Sequence, residues 1–278
     1  MLALLVYFGN MFCYTGTTTA IRNKNTDSLS KKFAGTDACK SCHKAIFDSF
    51  TNTAHYFTSR PASETSIKGS FEPGKNIFRY NKWMEVVLQK KDNRFYQQGF
   101  ISGQEYQTEP FDITIGSGRK GQTYLYWKNS KLFQLPVYWF KPLNTWCNSP
   151  GFPSNFMKFD REIHGECLEC HTSYSKIEYE GEANEYIDPT GILYGIDCER
   201  CHGPAADHVT WHKKHANENK GKYIINANLL NRQQQLDACA YCHSGLRNQV
   251  KPTFSFQVGD KLDDFSLPRY NTDSSSHL

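Results

Sequence analysis

Apolar positions change their rhythm several times along the chain. Leu2 to Phe8 and Met11 to Tyr14 form one unbroken apolar run. It has the length of a signal-peptide core, about 7–15 residues, and falls short of the roughly 20 that cross a bilayer. Residues 1–20, closing on Thr18-Thr19-Ala20, therefore read as a signal peptide, and the polar, aperiodic stretch 21–34 as a flexible linker. Helical spacing follows in segment 35–65, where Ile46, Phe47, Phe50 and Ala54 predict a helix over Lys44 to Tyr56.

Between residues 66 and 145 the pattern turns to short β-type runs: Phe78 to Tyr80, Glu85 to Gln89 and Phe111 to Ile115. Tyr124 to Trp127, a polar Lys128 to Lys131 turn and Leu132 to Trp139 predict a hairpin. Segment 146–265 is loop-rich, with helices expected at Ala205 to Asn217 and Asn228 to Ala240, and 266–278 is a polar tail. Gly116 to Gly121 fits G-x-G-x-x-G, but a strand pattern follows it where a dinucleotide site needs a helix, so no nucleotide is expected.

Composition changes this picture. Leu, Ile, Val and Phe supply only 58 of 278 residues, whereas aromatic residues reach 14%. That is a thin aliphatic core with ample surface for packing on flat, rigid groups. A formal charge of +4, with no nucleic-acid-binding module, gives no reason to expect nucleic acid.

The ten cysteines decide the chemistry. Eight form four C-x-x-C pairs: Cys39/Cys42, Cys167/Cys170, Cys198/Cys201 and Cys239/Cys242. A histidine follows each pair directly, namely His43, His171, His202 and His243. C-x-x-C-H is the haem c attachment pattern: two thiols bind the porphyrin vinyl groups and the adjacent imidazole becomes the proximal iron ligand. Tetrahedral zinc has no use for a histidine at that position every time, and a thioredoxin-type motif would occur once. Four covalent haems c are expected, about one per 70 residues, enough to supplement a thin core. Cys13 and Cys147 stand alone and receive no role.

Distal ligands must come from the remaining histidines, since Met84 and Met157 are the only methionines beyond the N-terminal run. His55 lies 12 residues after His43; a helix between them would set them about 18 Å apart, so His55 is expected on a different haem. His208, close behind His202 across Gly203-Pro204, is likewise expected on a neighbouring haem. His208, His212 and His215 share a helical face, although nearby Lys213, Lys214, Lys220 and Lys222 also fit a solvated basic helix. His164 precedes the second motif, and His277 lies in the tail.

On these residues the chain resembles the tetrahaem cytochrome c-554-like family, also called the cytochrome c-552/4 domain, over most of residues 37 to 265. The carrying stretches are CKSCHKAIFDSFTNTAHY, IGSGRKGQTYLYWKNSKLFQLPVYW, CLECH, DCERCHGPAADHV and CAYCHSG with FQVGDKLDD. The resemblance implies an exported, mainly α protein with irregular loops, a multihaem architecture whose haems form the core, and here a β-rich insert. It also implies iron held between histidines, with His43, His171, His202 and His243 proximal and His55 and His208 distal. The chain departs from relatives that continue beyond the position of Asp264. The expected role is periplasmic or otherwise exported electron relay between redox proteins, compatible with association at the outer face of a membrane. The alternatives are an oxidoreductase with one open iron acting on a small nitrogen or sulfur species, and a haem-bearing subunit of a larger complex.

Overall fold

A computed structural model describes residues 32–180, 184–245 and 247–269. The stretch read as a signal peptide, Cys13, most of the linker and residues 270–278 of the tail, including His277, lie outside them. The fold class expected above is corrected: strands occupy 36% of the structure and helices 21%.

A four-stranded antiparallel meander runs through Ile77–Asn81, Met84–Lys91, Arg94–Ile101 and Gln104–Pro110. Tight turns drive it. Asp92 and Asn93 both have positive φ, 50° and 61°, as do Ser102 and Gly103 at 51° and 79°. Two successive left-handed residues twist a hairpin in the sense its strands require. Asn129 and Ser130 (52° and 59°) do the same between Gly121–Lys128 and Lys131–Gln134, the hairpin expected from sequence. That hairpin belongs to a seven-stranded sheet whose other members are Ser59–Pro61, Ile113–Ile115, Val137–Phe140, Thr145–Asn148 and Arg161–Ile163.

The two sheets enclose the main core, with Val86, Leu88, Tyr124, Leu135, Val137 and Met157 buried between them. Gln97, fully buried, donates to the Val137 carbonyl and accepts from its N–H, tying the meander to the larger sheet at no cost in unpaired polar atoms. Strand Gly121–Lys128 is buried on both faces: Tyr124 and Tyr126 point into this core, while Leu125 enters a second one. That explains its near-continuous apolar run. The second core is closed by a long hairpin, Thr172–Glu180 with Asn184–Tyr194, through Tyr174, Ile177, Ile187 and Ile192. Leu135→Ala should cost about 2–5 kcal/mol, because its side chain has no exposed surface to relax into; chemical denaturation checks this, and a loss near zero would contradict the placement of the core.

The helices are short. The helix expected to reach Tyr56 spans only Lys44–Phe50. Past it, Thr51 Oγ1 and Asn52 Nδ2 both turn back to the Asp48 carbonyl, side-chain bonds that compete with further helical turns. The later helices are Ala206–Lys214 and Arg232–His243; the second begins at a capping box between Asn231 and Gln234.

Candidate functional site

All four C-x-x-C-H motifs lie on or beside short helices attached to the β framework. Cys39 ends in helix Asp37–Lys40, Cys167 lies in Gly165–Leu168, the third motif is itself helix Cys198–His202, and the fourth closes Arg232–His243. All eight cysteines are free thiols; Cys42, Cys167, Cys201 and Cys239 are exposed and their partners half-buried.

Motifs distant in sequence meet in space. The Cys39 and Cys198 thiols lie near enough to interact, which pushes the pKa of Cys39 up and that of Cys198 down. Cys170 and Cys242 form the same contact with the same consequence. The first motif thus pairs with the third, and the second with the fourth.

The histidines pair across motifs as well. His43 faces His208 with ring centroids 6.4 Å apart and planes 18° apart. His55 faces His243 at 6.0 Å and 68°. Two imidazoles sharing one metal at about 2 Å from each nitrogen place their centroids about 6 Å apart. Both pairs therefore have the spacing of axial ligands on a single iron. The broken helix after Phe50 frees His55 for this position, and its carbonyl accepts the Ile196 N–H at 2.9 Å, fixing it to the end of the long hairpin. Gly195 permits that approach, since a Cβ there would strike the Tyr56 carbonyl.

Hydrogen bonds at Nδ1 orient several rings. His202 Nδ1 meets the Ile225 carbonyl at 2.9 Å, and His208 Nδ1 meets the Lys222 carbonyl at 2.8 Å. Such a bond leaves Nε2 as the metal-binding nitrogen, the usual arrangement around ligating histidines. His171 is held through its carbonyl, which accepts from Thr58 Oγ1 at 2.8 Å and Ser59 Oγ at 2.7 Å. Burial pushes its pKa down and keeps the ring in the neutral form that binds metal.

The other candidates separate. His212 lies 4.6 Å from the His208 ring, and its Nε2 is buried without a protein partner. His215 is stacked on Trp211 at 3.8 Å and 14°, with Nδ1 on the Trp211 carbonyl. His164 is exposed and precedes helix Gly165–Leu168 as its N-cap, without a side-chain cap bond. No described His ring pairs with it, with His171 or with His202 in an aromatic contact.

Sequence reasoning missed the residues between the cysteines. Glu169, 2% exposed, accepts from Tyr241 Oη, Gln249 Nε2 and the Phe254 N–H. Burial raises its pKa, opposed by the bonds from Tyr241 and Phe254. Glu199 accepts N–H groups from Ala34 (2.8 Å), Gly35 (2.8 Å) and Ala205 (2.7 Å). The available signal was the charge itself: of the eight residues between motif cysteines four are charged, Lys40, Glu169, Glu199 and Arg200, and all but Lys40 take part in these contacts.

Residues 153–203 match the family model described as cytochrome c554 and c-prime. The matched segment contains the second and third motifs whole, so the resemblance to cytochrome c554 holds there. The class this supports is a c-type cytochrome, with covalently bound haem c and a part in electron transfer. Among solved structures, the outer cell wall cytochrome OcwA is similar at 17% identity and a TM-score of 0.49, over 84% of this chain and 44% of that one. The chain thus spans less than half of that protein's length. No curated protein matches the chain.

Proposed function

We propose that the chain is an exported cytochrome that carries four haems c on its C-x-x-C-H motifs and relays electrons between redox protein partners. The His43/His208 and His55/His243 pairs carry this reading, because each joins a proximal histidine to a distal one from another segment at the spacing of one shared iron. The free thiols and the Nδ1-anchored rings fit the same group. When bound, haem supplies reversible one-electron chemistry at the iron.

The remaining work falls to the chain. Cys39 and Cys42 would anchor one haem, with His43 and His208 the residues to hold its iron; Cys239 and Cys242 would anchor another, with His243 and His55. Cys167/Cys170 with His171, and Cys198/Cys201 with His202, hold the other two. His212, with a buried and unpartnered Nε2, is the nearest candidate for a further distal position, followed by His215 and His164. Motif contacts through Cys39/Cys198 and Cys170/Cys242 would bring haems held on those motifs together in pairs and so shorten electron transfer within each pair. Iron held between histidines favours low potentials.

Export is supported by the apolar run at the N-terminus and by the richness in cysteine. Among the described residues no helix is long and apolar enough to cross a membrane.

A second reading, an oxidoreductase acting on a small nitrogen or sulfur species, draws on His171 and His202, which have no ring partner at axial spacing among the described residues. Electron paramagnetic resonance of the ferric protein tests the choice: low-spin signals at every haem support relay, and one high-spin haem that binds nitric oxide stoichiometrically supports the enzyme.

A further inference from the structure

We propose that the residues between the cysteines are a register device: Glu199 fixes the first motif against the third, Glu169 fixes the second against the fourth, and Arg200 joins the two pairs. The proposal rests on the haem-binding role proposed above and assigns Glu169 as the positioning residue for contact between the haems on Cys167/Cys170 and Cys239/Cys242.

Glu169 comes from the second motif, Tyr241 from the fourth and Arg200 from the third, and all three meet. The Glu169 carboxylate accepts from Tyr241, from Gln249 at 2.7 Å and from the Phe254 N–H. Its own carbonyl takes Arg200 Nη2 at 3.0 Å and Cys242 Sγ at 4.0 Å. The Arg200 guanidinium lies over Tyr241 at 4.9 Å and over Phe254 at 5.6 Å. Tyr241 is stacked on Phe256, with centroids 4.6 Å apart. One buried carboxylate therefore connects the second motif, the fourth motif and the turn-containing segment from Gln249 to Phe254.

The other pair repeats the device. Glu199 of the third motif grips Ala34 and Gly35, the residues leading into the first motif. Beside it Asp197 accepts from Thr36 Oγ1 at 2.7 Å. In each pair the carboxylate accompanies a thiol contact between the same two motifs, Cys39 with Cys198 and Cys170 with Cys242.

Energy alone does not call for such groups. A well-packed apolar residue is often as stabilising as a buried charged one, whereas a directional polar network discriminates one register from its neighbours. An apolar cluster would let the two motif helices slide; carboxylate oxygens with three donors do not. Haem-to-haem coupling depends on that relative placement.

The test uses the full haem-loaded chain as wild type, Glu169→Gln, Glu169→Ala and Tyr241→Phe. Haem count by intact mass is read first, then the exciton couplet in Soret circular dichroism, which reports chromophores in fixed contact. Glu169→Ala is expected to keep four haems and lose part of the couplet. Glu169→Gln should largely restore it, because the amide oxygen still accepts from Tyr241 and Phe254 and Gln249 can turn its own oxygen to the new N–H. Should Glu169→Ala fail to accumulate with haem, Tyr241→Phe decides, since it removes one hydroxyl: a weakened couplet supports the proposal and an unchanged one overturns it. Glu169→Ala with the wild-type couplet overturns it, as does wild type with four haems and no couplet, or Gln and Ala variants that lose couplet and stability alike. A wild type with fewer than four haems would instead defeat the functional reading beneath it.

Discussion

Replacing His208 by alanine is expected to open one iron to carbon monoxide. The ring it removes lies 6.4 Å from His43 and nearly parallel to it, held by the Lys222 carbonyl on Nδ1 and carried by helix Ala206–Lys214. On the proposed assignment, the iron of the haem attached at Cys39 and Cys42 would then keep only His43. It should turn high-spin when ferric and bind carbon monoxide one-to-one when reduced. His212, with its ring 4.6 Å away, is placed to swing into the gap, so His208→Ala with His212→Ala is the stringent form of the test. His215→Ala, which removes only a ring stacked on Trp211, should leave this haem unchanged. A double variant that stays low-spin and inert to carbon monoxide would show that His208 does not hold this iron.

Cys239→Ala with Cys242→Ala should have the largest effect on the molecule. These thiols stand on helix Arg232–His243, whose packing is modest: Tyr241, Phe256 and Leu262 form a small core cluster of their own. A metal site formed only on folding contributes its binding energy to folding, so losing the haem should destabilise this lobe by several kcal/mol. The variant is expected to lose the mass of one haem, retain the other three, and unfold its C-terminal lobe at lower temperature than the β framework. His55, deprived of the iron it is proposed to share with His243, should become available to carbethoxylation. Retention of the fourth haem, or loss of all of them, would contradict the separate roles given to the motifs.

How much of this is legible in the sequence depends on range. The attachment motifs are local, five residues each, and need no folding to be recognised. Turns are local too: Asn129-Ser130 between two apolar runs predicts the hairpin that forms. The long hairpin between the second and third motifs escapes notice because its strands do not keep a period of two. Register shifts between Thr172 and Tyr174, and between Ser175 and Ile177, displace the alternation that marks a strand. With that segment read as loop, the mainly α architecture implied by the family resemblance met no opposing signal there. Lys44 to Tyr56 shows the opposite failure, an apolar spacing that fits a helix whose second half is captured by Thr51 and Asn52. The pairings His43 with His208 and His55 with His243 span long stretches of chain and depend on how the β framework brings those segments together. Their partners cannot be read from spacing alone. Glu169, Glu199 and Arg200 stand inside the motifs, yet their roles depend on segments that arrive from elsewhere in the chain.

The central claim is that each C-x-x-C-H motif carries a covalent haem. Intact-protein mass spectrometry of the chain, produced in a host with haem-attachment machinery, tests it most directly. The account predicts the polypeptide plus four haems, surviving denaturation and acid extraction. A mass with fewer haems, or with zinc in their place, would contradict it.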